Sequence, residues 1–389
     1  MTKDTDGIIS QTNCGMHSDA VHPTTHLGSF LSSLPTPPQK VALVRASRIG
    51  DFVCATPAFR ALRYALPEAE LTLIGMPFVK ELVERSPHLD RFIPFPGFLG
   101  MAEQFFDART VTAFFQQMQA EQFDLAIQMH GSGVYSNPFT LMLGTERTVG
   151  FVRNGDPGGR LDTAIPFPET EHEIRRVLTL TTFLGAAPQG EQTEFPLWPS
   201  DRESAKALLN NFPTPFIGLH PSARETSKQW SLDRFIAVGR ALQQKYGGTI
   251  LIVGGQDEWP QAEQVAQGIG RNAVNLAGKT SLATLGAAIA HFSLLITNDS
   301  GPAHIAYALN VPTVTLFGST DPDIWGPLNW SDSIVANRHR VLVERIPCHP
   351  CNQATCDIGY DCLNRITVQH VLENAEGAIA SSVPVEKAE

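Results

Sequence analysis

Two stretches of this chain hold the residue types that chemistry needs at the places where a sheet would present them. The first is Arg45-Ala46-Ser47-Arg48-Ile49-Gly50-Asp51, which directly follows the apolar run Val41-Ala42-Leu43-Val44. The second is Asn298-Asp299-Ser300-Gly301-Pro302-Ala303-His304, which follows Leu294-Leu295-Ile296-Thr297. Each reads as a buried strand, a turn carrying a carboxylate, and a helix. In open parallel sheets, ligands bind at the carboxyl ends of the strands, where such turns lie. One turn in each half of the chain implies a site built between two domains. Asp51, with arginine neighbours and facing that cleft, suits the task of taking a proton from a hydroxyl. The plainer alternative is a charge that complements a helix N-terminus.

The second turn has Pro302 at the first helical position, where its missing N–H costs nothing. The amides of Gly301, Ala303 and His304 are then expected to point outward with the helix dipole behind them, as a cradle for an anion or pyrophosphate. The alternative is that Asp299 or Ser300 only caps the helix, with His304 a satisfied partner. The loop His220–Trp230 adds Ser222, Arg224 and Lys228, donors suited to phosphate oxygens, although Lys228 beside Trp230 also reads as a solvated charge next to a packing anchor. Gly254-Gly255-Gln256-Asp257-Glu258 offers close backbone approach and a carboxylate able to accept from ribose hydroxyls; it is equally an ordinary turn into a helix.

These residues need a scaffold of alternating strands and helices. Strands are expected at 41–46, 70–75, 91–95, 124–129 and 147–152, with helices near 52–66, 77–86, 110–121 and 172–184. The grammar repeats with strands at 216–220, 249–254, 273–276, 294–298 and 312–317 and helices at 232–246, 259–268, 281–291 and 302–309. Such alternation implies parallel sheets covered by helices on both faces. At 389 residues the chain is too long for one ordinary core and suits two domains. The expected division is a disordered tail over 1–39, a Rossmann-like domain over 40–185, a linker and connecting helix over 186–212 and a second Rossmann-like domain over 213–345. A Cys-rich segment over 346–365 and a C-terminal helix and tail over 366–389 complete it. That last helix, near 367–381, could pack across the first domain or cap the second.

The motifs as a set, Val44 to Ala58, His220-Pro221 with Lys228-Gln229-Trp230, and Asn298 to His304, resemble the lipopolysaccharide heptosyltransferases of glycosyltransferase family nine, in the same order and over about residues 41–375. The resemblance implies the α/β GT-B architecture, two Rossmann-like doubly wound domains facing a cleft. It implies an inverting transfer of a heptose or related sugar from an ADP-sugar to a hydroxyl of a lipopolysaccharide core or other cell-envelope glycan, with no cofactor and no catalytic metal. By position it makes Asp51 the base, and with the acceptor held mainly in the first domain Arg45, Arg48 and Gly50 fall on the acceptor side. It assigns donor binding to Lys228, Asp299, Ser300, Gly301 and His304, to which the residue types of the loops add Ser222 and Asp257. Where some members carry a glutamate directly after the Gly pair, this chain has Gln256.

Other classes fit less well. There is no G-x-G-x-x-G after either first strand and no P-loop, which argues against a dinucleotide oxidoreductase. A formal net charge of -10 leaves no broad electrostatic footprint for nucleic acid. A nucleotide-sugar epimerase on the same scaffold would need further carboxylates in the cleft; a silent sugar-nucleotide-binding protein would need Asp51 to be only a cap. No stretch approaches the roughly 18 apolar residues of a membrane span, so a cytoplasmic protein with peripheral contact to the inner membrane is expected. Cys348-His349-Pro350-Cys351, with Cys356 and Cys362 beyond, could hold a structural metal in four-thiolate geometry, form disulfides or stay reduced.

Overall fold

A computed structural model of the protein describes residues 30–381, apart from 102–103, 154, 156–160, 333–334 and 336–337. In the first half, strands β1 (Lys40–Val44), β2 (Glu70–Gly75), β3 (Arg91–Pro94), β4 (Leu125–Gln128), β5 (Arg147–Val152) and β6 (Thr163–Pro166) alternate with helices. The helices are α1 (Phe30–Ser33), α2 (Ile49–Ala65), α3 (Lys80–Arg85), α4 (Ala108–Glu121), α5 (Ser136–Met142) and α6 (Glu173–Leu184). After α7 (Pro199–Leu209) come β7 (Phe216–His220), β8 (Thr249–Ile252), β9 (Ala273–Asn275), β10 (Leu294–Asn298), β11 (Thr313–Phe317) and β12 (His339–Val343). They are interleaved with α8 (Leu232–Tyr246), α9 (Trp259–Ile269), α10 (Leu282–Ile289), α11 (Gly301–Ala308) and α12 (Pro322–Trp325), and the chain ends in helices Asp361–Asn364 and Val368–Ala380.

Both sheets are parallel throughout and have one topology. The first runs β3-β2-β1-β4-β5-β6 and the second β12-β11-β10-β7-β8-β9. The central strands are buried on both faces, which is why they read as unbroken apolar runs rather than alternating ones. The order reverses direction at the β1/β4 and β7/β10 junctions, and the crevice beyond such a junction is where a doubly wound sheet receives its ligand. The turns after β1 and β10 are the two singled out in the sequence.

One apolar core runs through both halves. It joins Leu43, Phe59 and Phe151 of the first domain to Phe195 and Leu209 of the connecting segment and to Phe216, Leu295 and Ile305 of the second. Helix α7 is fixed to the first domain by the fork of Arg85, which donates from Nε and Nη2 to both carboxylate oxygens of Asp201 at 2.8 Å.

Several expectations need correction. Of the tail, residues 1–29 lie outside the described residues, but Phe30–Ser33 forms a helical turn with Phe30 buried in the core, because an aromatic side chain gains enough from burial to order a short segment. The helix Val368–Ala380 buries Val371, Ala375 and Ala378 in the second domain's core, so it caps that domain rather than crossing to the first; residues 382–389 lie outside the described residues. Strands β6 and β12, helix α5 and the short helices Pro322–Trp325 and Asp361–Asn364 were not expected from the sequence. Strands β6 and β12 are half-exposed sheet edges, and α5 opens with Ser-Asn-Pro, which masks any helical period.

Candidate functional site

Two cavities meet at the cleft. The larger, about 660 Å³, lies between the domains and is bordered by the turns after β7, β8 and β10 together with Arg48, Gly50 and Asp51. The smaller, about 320 Å³, opens at the β1/β4 junction between the turn Arg45–Asp51 and residues Met129–Gly131. Asp51 borders both.

Asp51 sits in the first turn of α2, and its Oδ2 accepts the backbone N–H of Arg48 at 3.1 Å. The helix-cap reading is therefore correct as local structure, and it also fixes the carboxyl group at the cavity junction. Arg45 locks the same residue from below. It donates from Nε (3.1 Å) and Nη2 (2.7 Å) to the Asp51 carbonyl, from Nη1 to the Met129 carbonyl, and from Nη2 to Glu173 at 2.8 Å. Arg45, expected on the acceptor side, does border the smaller cavity, but its guanidinium is committed to positioning Asp51, its buried charge offset by the Glu173 carboxylate. Arg48 reaches across the cleft to Glu225 at 3.0 Å. Gly50 lies tight against the second domain: a Cβ there would lie 2.6 Å from His304 Cδ2. His304 is buried, 3.5 Å from Cys54 Sγ, and burial holds its imidazole below the usual histidine range despite the pull of Asp299 and Asp51.

On the second domain, Lys228 Nζ donates to Asp299 Oδ2 at 2.9 Å, and Thr320 donates to the same oxygen at 2.7 Å. Lys228 is thus a tethered charge on the cavity wall rather than a solvated one. Trp230 anchors its loop: its Nε1 donates to the Ile366 carbonyl at 2.9 Å and its backbone N–H to Asn298 Oδ1 at 3.1 Å. Asn298 Nδ2 in turn donates to the Pro221 carbonyl at 2.8 Å, so one buried amide joins β10 to the loop after β7. Gly301 faces Ile49 across the cleft with only van der Waals contact for an added Cβ. Neither Asp299 nor Ser300 caps α11 through its side chain. Ser300 Oγ lies 2.9 Å from His220 Nδ1, whose Nε2 is 3.3 Å from Glu258.

Three donor-side expectations change. Ser222 is buried and donates to Gln261 at 2.7 Å, bordering a side hollow rather than the main cavity, because its position in the turn aims it at α9. The amide of Ala303 is turned back onto the Ser300 carbonyl at 3.1 Å, which leaves it out of an anion cradle. Asp257 borders the cavity but is exposed, while Glu258 is the acid turned inward, held by His220 and by the Gly255 amide at 2.6 Å. Burial raises the Glu258 pKa, but these two donors outweigh it and leave the group below the usual carboxylate range.

Sequence reasoning gave no role to Thr320 and Glu173, and named His220, Glu258 and Asn298 only as members of their motifs. The last residue of β7 and of β10, His220 and Asn298, had a signal in their place at strand ends. Glu173 had none, since an acid in a helix's first turn is ordinary. In the Cys-rich segment none of the four cysteines is in a disulfide, and among the described residues no group of three or more His, Cys, Asp or Glu side chains is placed to hold a metal. The segment does other work. Ala354 accepts from the Ser227 N–H at 3.2 Å, Asn352 N–H donates to Ser319 at 2.9 Å, and Cys356 Sγ accepts from the Tyr360 N–H at 3.2 Å, so it braces the turn bearing Lys228.

Residues 111–359 match the profile of glycosyltransferase family 9 (heptosyltransferase). The chain is 26% identical over 296 residues to lipopolysaccharide heptosyltransferase 3 of Escherichia coli K12, covering 74% of this chain and 84% of that protein. Its fold matches a glycosyl transferase family 9 structure from Veillonella parvula with a TM-score of 0.74 at 20% identity, over 88% of this chain and 98% of that one. The E. coli ADP-heptose lps heptosyltransferase II superposes with a TM-score of 0.70 at 20% identity, over 88% and 98% of the two chains. The expected GT-B arrangement of two Rossmann-like domains is the fold observed.

Proposed function

Since the chain belongs to glycosyltransferase family 9, we propose that this glycosyltransferase moves a heptose from ADP-heptose to a hydroxyl of a lipopolysaccharide core, inverting the anomeric centre without a catalytic metal. The relatives named for lipopolysaccharide and ADP-heptose support the substrates. The observation that carries the mechanism is that Asp51 borders both cavities while Lys228 and the start of α11 border only the larger. A carboxylate at the junction of an acceptor pocket and a donor pocket is where a general base belongs.

In this reading the diphosphate lies against Lys228 and the N-terminal end of α11, and Asp257 or Glu258 takes the ribose hydroxyls. Asp299, Ser300 and His304 shape the wall beneath. Ser222 acts only through Gln261. The acceptor enters from the first domain, past Arg48 and Gly50. Asp51 removes the proton of its hydroxyl as that oxygen bonds to C1 of the heptose from the face opposite the phosphate. The C1–O bond breaks, and the electron pair leaves with ADP, whose new charge is met by Lys228 and the helix dipole. No helix among the described residues is long and apolar enough to cross a membrane; a cytoplasmic enzyme touching the inner membrane through its amphiphilic acceptor fits this route.

The test is direct. Purified enzyme, ADP-heptose and a core acceptor are combined, and the anomeric configuration of the new linkage is read by NMR against that of the donor. Inversion is expected. A product of retained configuration, or no transfer from ADP-heptose under conditions where the protein binds ADP, removes the reading.

A further inference from the structure

The smaller cavity has a chemistry of its own. At about 320 Å³ it stands at the lower end of the range for small-molecule sites, room for one ring rather than a chain. Its walls include three arginines, a feature that at first sight promises an anion. The two buried ones are already committed. Arg45 gives its donors to Asp51, Met129 and Glu173 as described, and Arg176 donates to Glu173 and to the carbonyls of Pro168 (3.0 Å), Glu169 (3.0 Å) and Glu171 (2.9 Å). Glu173, itself 5% exposed, is shared between the two guanidinium groups. The third, Arg48, is paired with Glu225. An entering carboxylate or phosphate would have to take an arginine from Glu173 and leave a buried carboxylate short of a partner, which is strongly unfavourable.

Two polar atoms in the same walls have no partner among the described residues: Ser47 Oγ and His130 Nδ1, both shielded from solvent. Buried polar atoms are normally paired, so an orphan on a side chain that borders a cavity marks a group that a ligand's hydrogen bond would satisfy once the side chain turns toward it. Burial, reinforced by Arg45, pushes the His130 imidazole down to about 4, so it is uncharged at neutral pH. The His130 carbonyl accepts from Gln128 and Ser136, both at 2.6 Å, which fixes the residue's backbone. A neutral imidazole and a hydroxyl are suited to a partner that donates and accepts in turn, as a sugar hydroxyl does. Met76, Met129, Phe151, Phe167 and Val177 supply apolar wall for the C–H faces of a ring.

We propose that this cavity selects an uncharged sugar ring as the acceptor unit, with Ser47 and His130 each reading one of its hydroxyls, and discriminates against rings that carry a carboxylate or phosphate. The inference rests on the glycosyltransfer reading for the meaning of "acceptor" but is tested by binding alone. Methyl α-mannopyranoside, the matching 6-carboxylate and the matching 6-phosphate are titrated against the full chain saturated with ADP, and affinities are read by ligand-observed NMR. The neutral ring is expected to bind about tenfold tighter than either anion, and His130→Ala and Ser47→Ala each to weaken it about tenfold. Melting temperature and ADP affinity should stay unchanged in both variants, which separates lost recognition from lost folding; His130→Asn, which keeps a neutral polar atom, should recover part of the affinity. Tighter binding of an anionic ring, no binding of the neutral one, or indifference to both alanine variants overturns the proposal. Loss of glycosyl transfer with this preference intact would instead count against the transfer reading alone.

Discussion

The two halves of the molecule have the same strand order and open their crevices at equivalent junctions, yet the turns at those junctions are built in opposite ways. After β1 the turn is short and internally tied. Arg45 holds the Asp51 backbone and the Arg48 amide holds its carboxylate, so the residue presented is an acid. After β7 the loop is long and tied from outside, by Asn298, by the Trp230 indole and by the Cys-rich segment, and the residue presented is a cation. Topology thus fixes where a ligand can sit, while the tethering of one turn decides which charge meets it. In the proposed mechanism a base and a leaving-group stabiliser are drawn from duplicate scaffolds.

The comparison breaks most sharply at Asp51. Asp51→Asn keeps the size and the amide contact of the side chain but cannot accept a proton, and turnover should fall about 100- to 10,000-fold with ADP affinity by calorimetry unchanged. Near-normal turnover would reduce Asp51 to a helix cap. For the second turn the equivalent blow is structural: Trp230→Ala deletes a fully buried indole and should lower unfolding free energy by about 3–5 kcal/mol, measured by denaturant titration. A loss under about 1 kcal/mol would mean the loop is not hung from that anchor.

Lys228→Ala sharpens the contrast of charge. It removes the cation and leaves Asp299 without its ion-pair partner, and ADP should bind about tenfold more weakly or worse; unchanged calorimetric affinity would take Lys228 out of the donor site. The smallest effect is expected where the turns touch. Arg48 and Glu225 are partly solvated, with side chains 42% and 24% exposed, so a double-mutant cycle on their alanine variants should give a coupling under about 1 kcal/mol. A larger coupling would mean the cleft is held shut by that pair.

Much of this is legible in the amino-acid sequence. The buried strands β1, β7, β10 and β11 announce themselves as apolar runs, and the positions of Asp51, Lys228 and Asp299 follow from strand ends. What stayed hidden are relations between distant residues. Arg45 reads as a free cation until Glu173, far along the chain, is seen beside it, and Ser222 reads as a phosphate donor until Gln261 takes its hydroxyl. Sequence period reports which face is buried; it says nothing of which polar groups are already satisfied within the protein. The edge strands β6 and β12 were lost for a related reason, since half-exposed strands have no run to read.

The unbroken core that joins Leu43 and Phe151 to Phe216 and Leu295 by way of Phe195 and Leu209 has a consequence for how such a molecule can be rebuilt. Although the halves repeat one topology, neither is an interchangeable cartridge. A chimera cut at the apparent linker would sever a shared apolar seam and expose the side chains of both faces to water at roughly 25 cal/mol per Å². Exchange of donor specificity between relatives should therefore be sought by grafting the turns together with the residues that tether them, and not by trading whole domains.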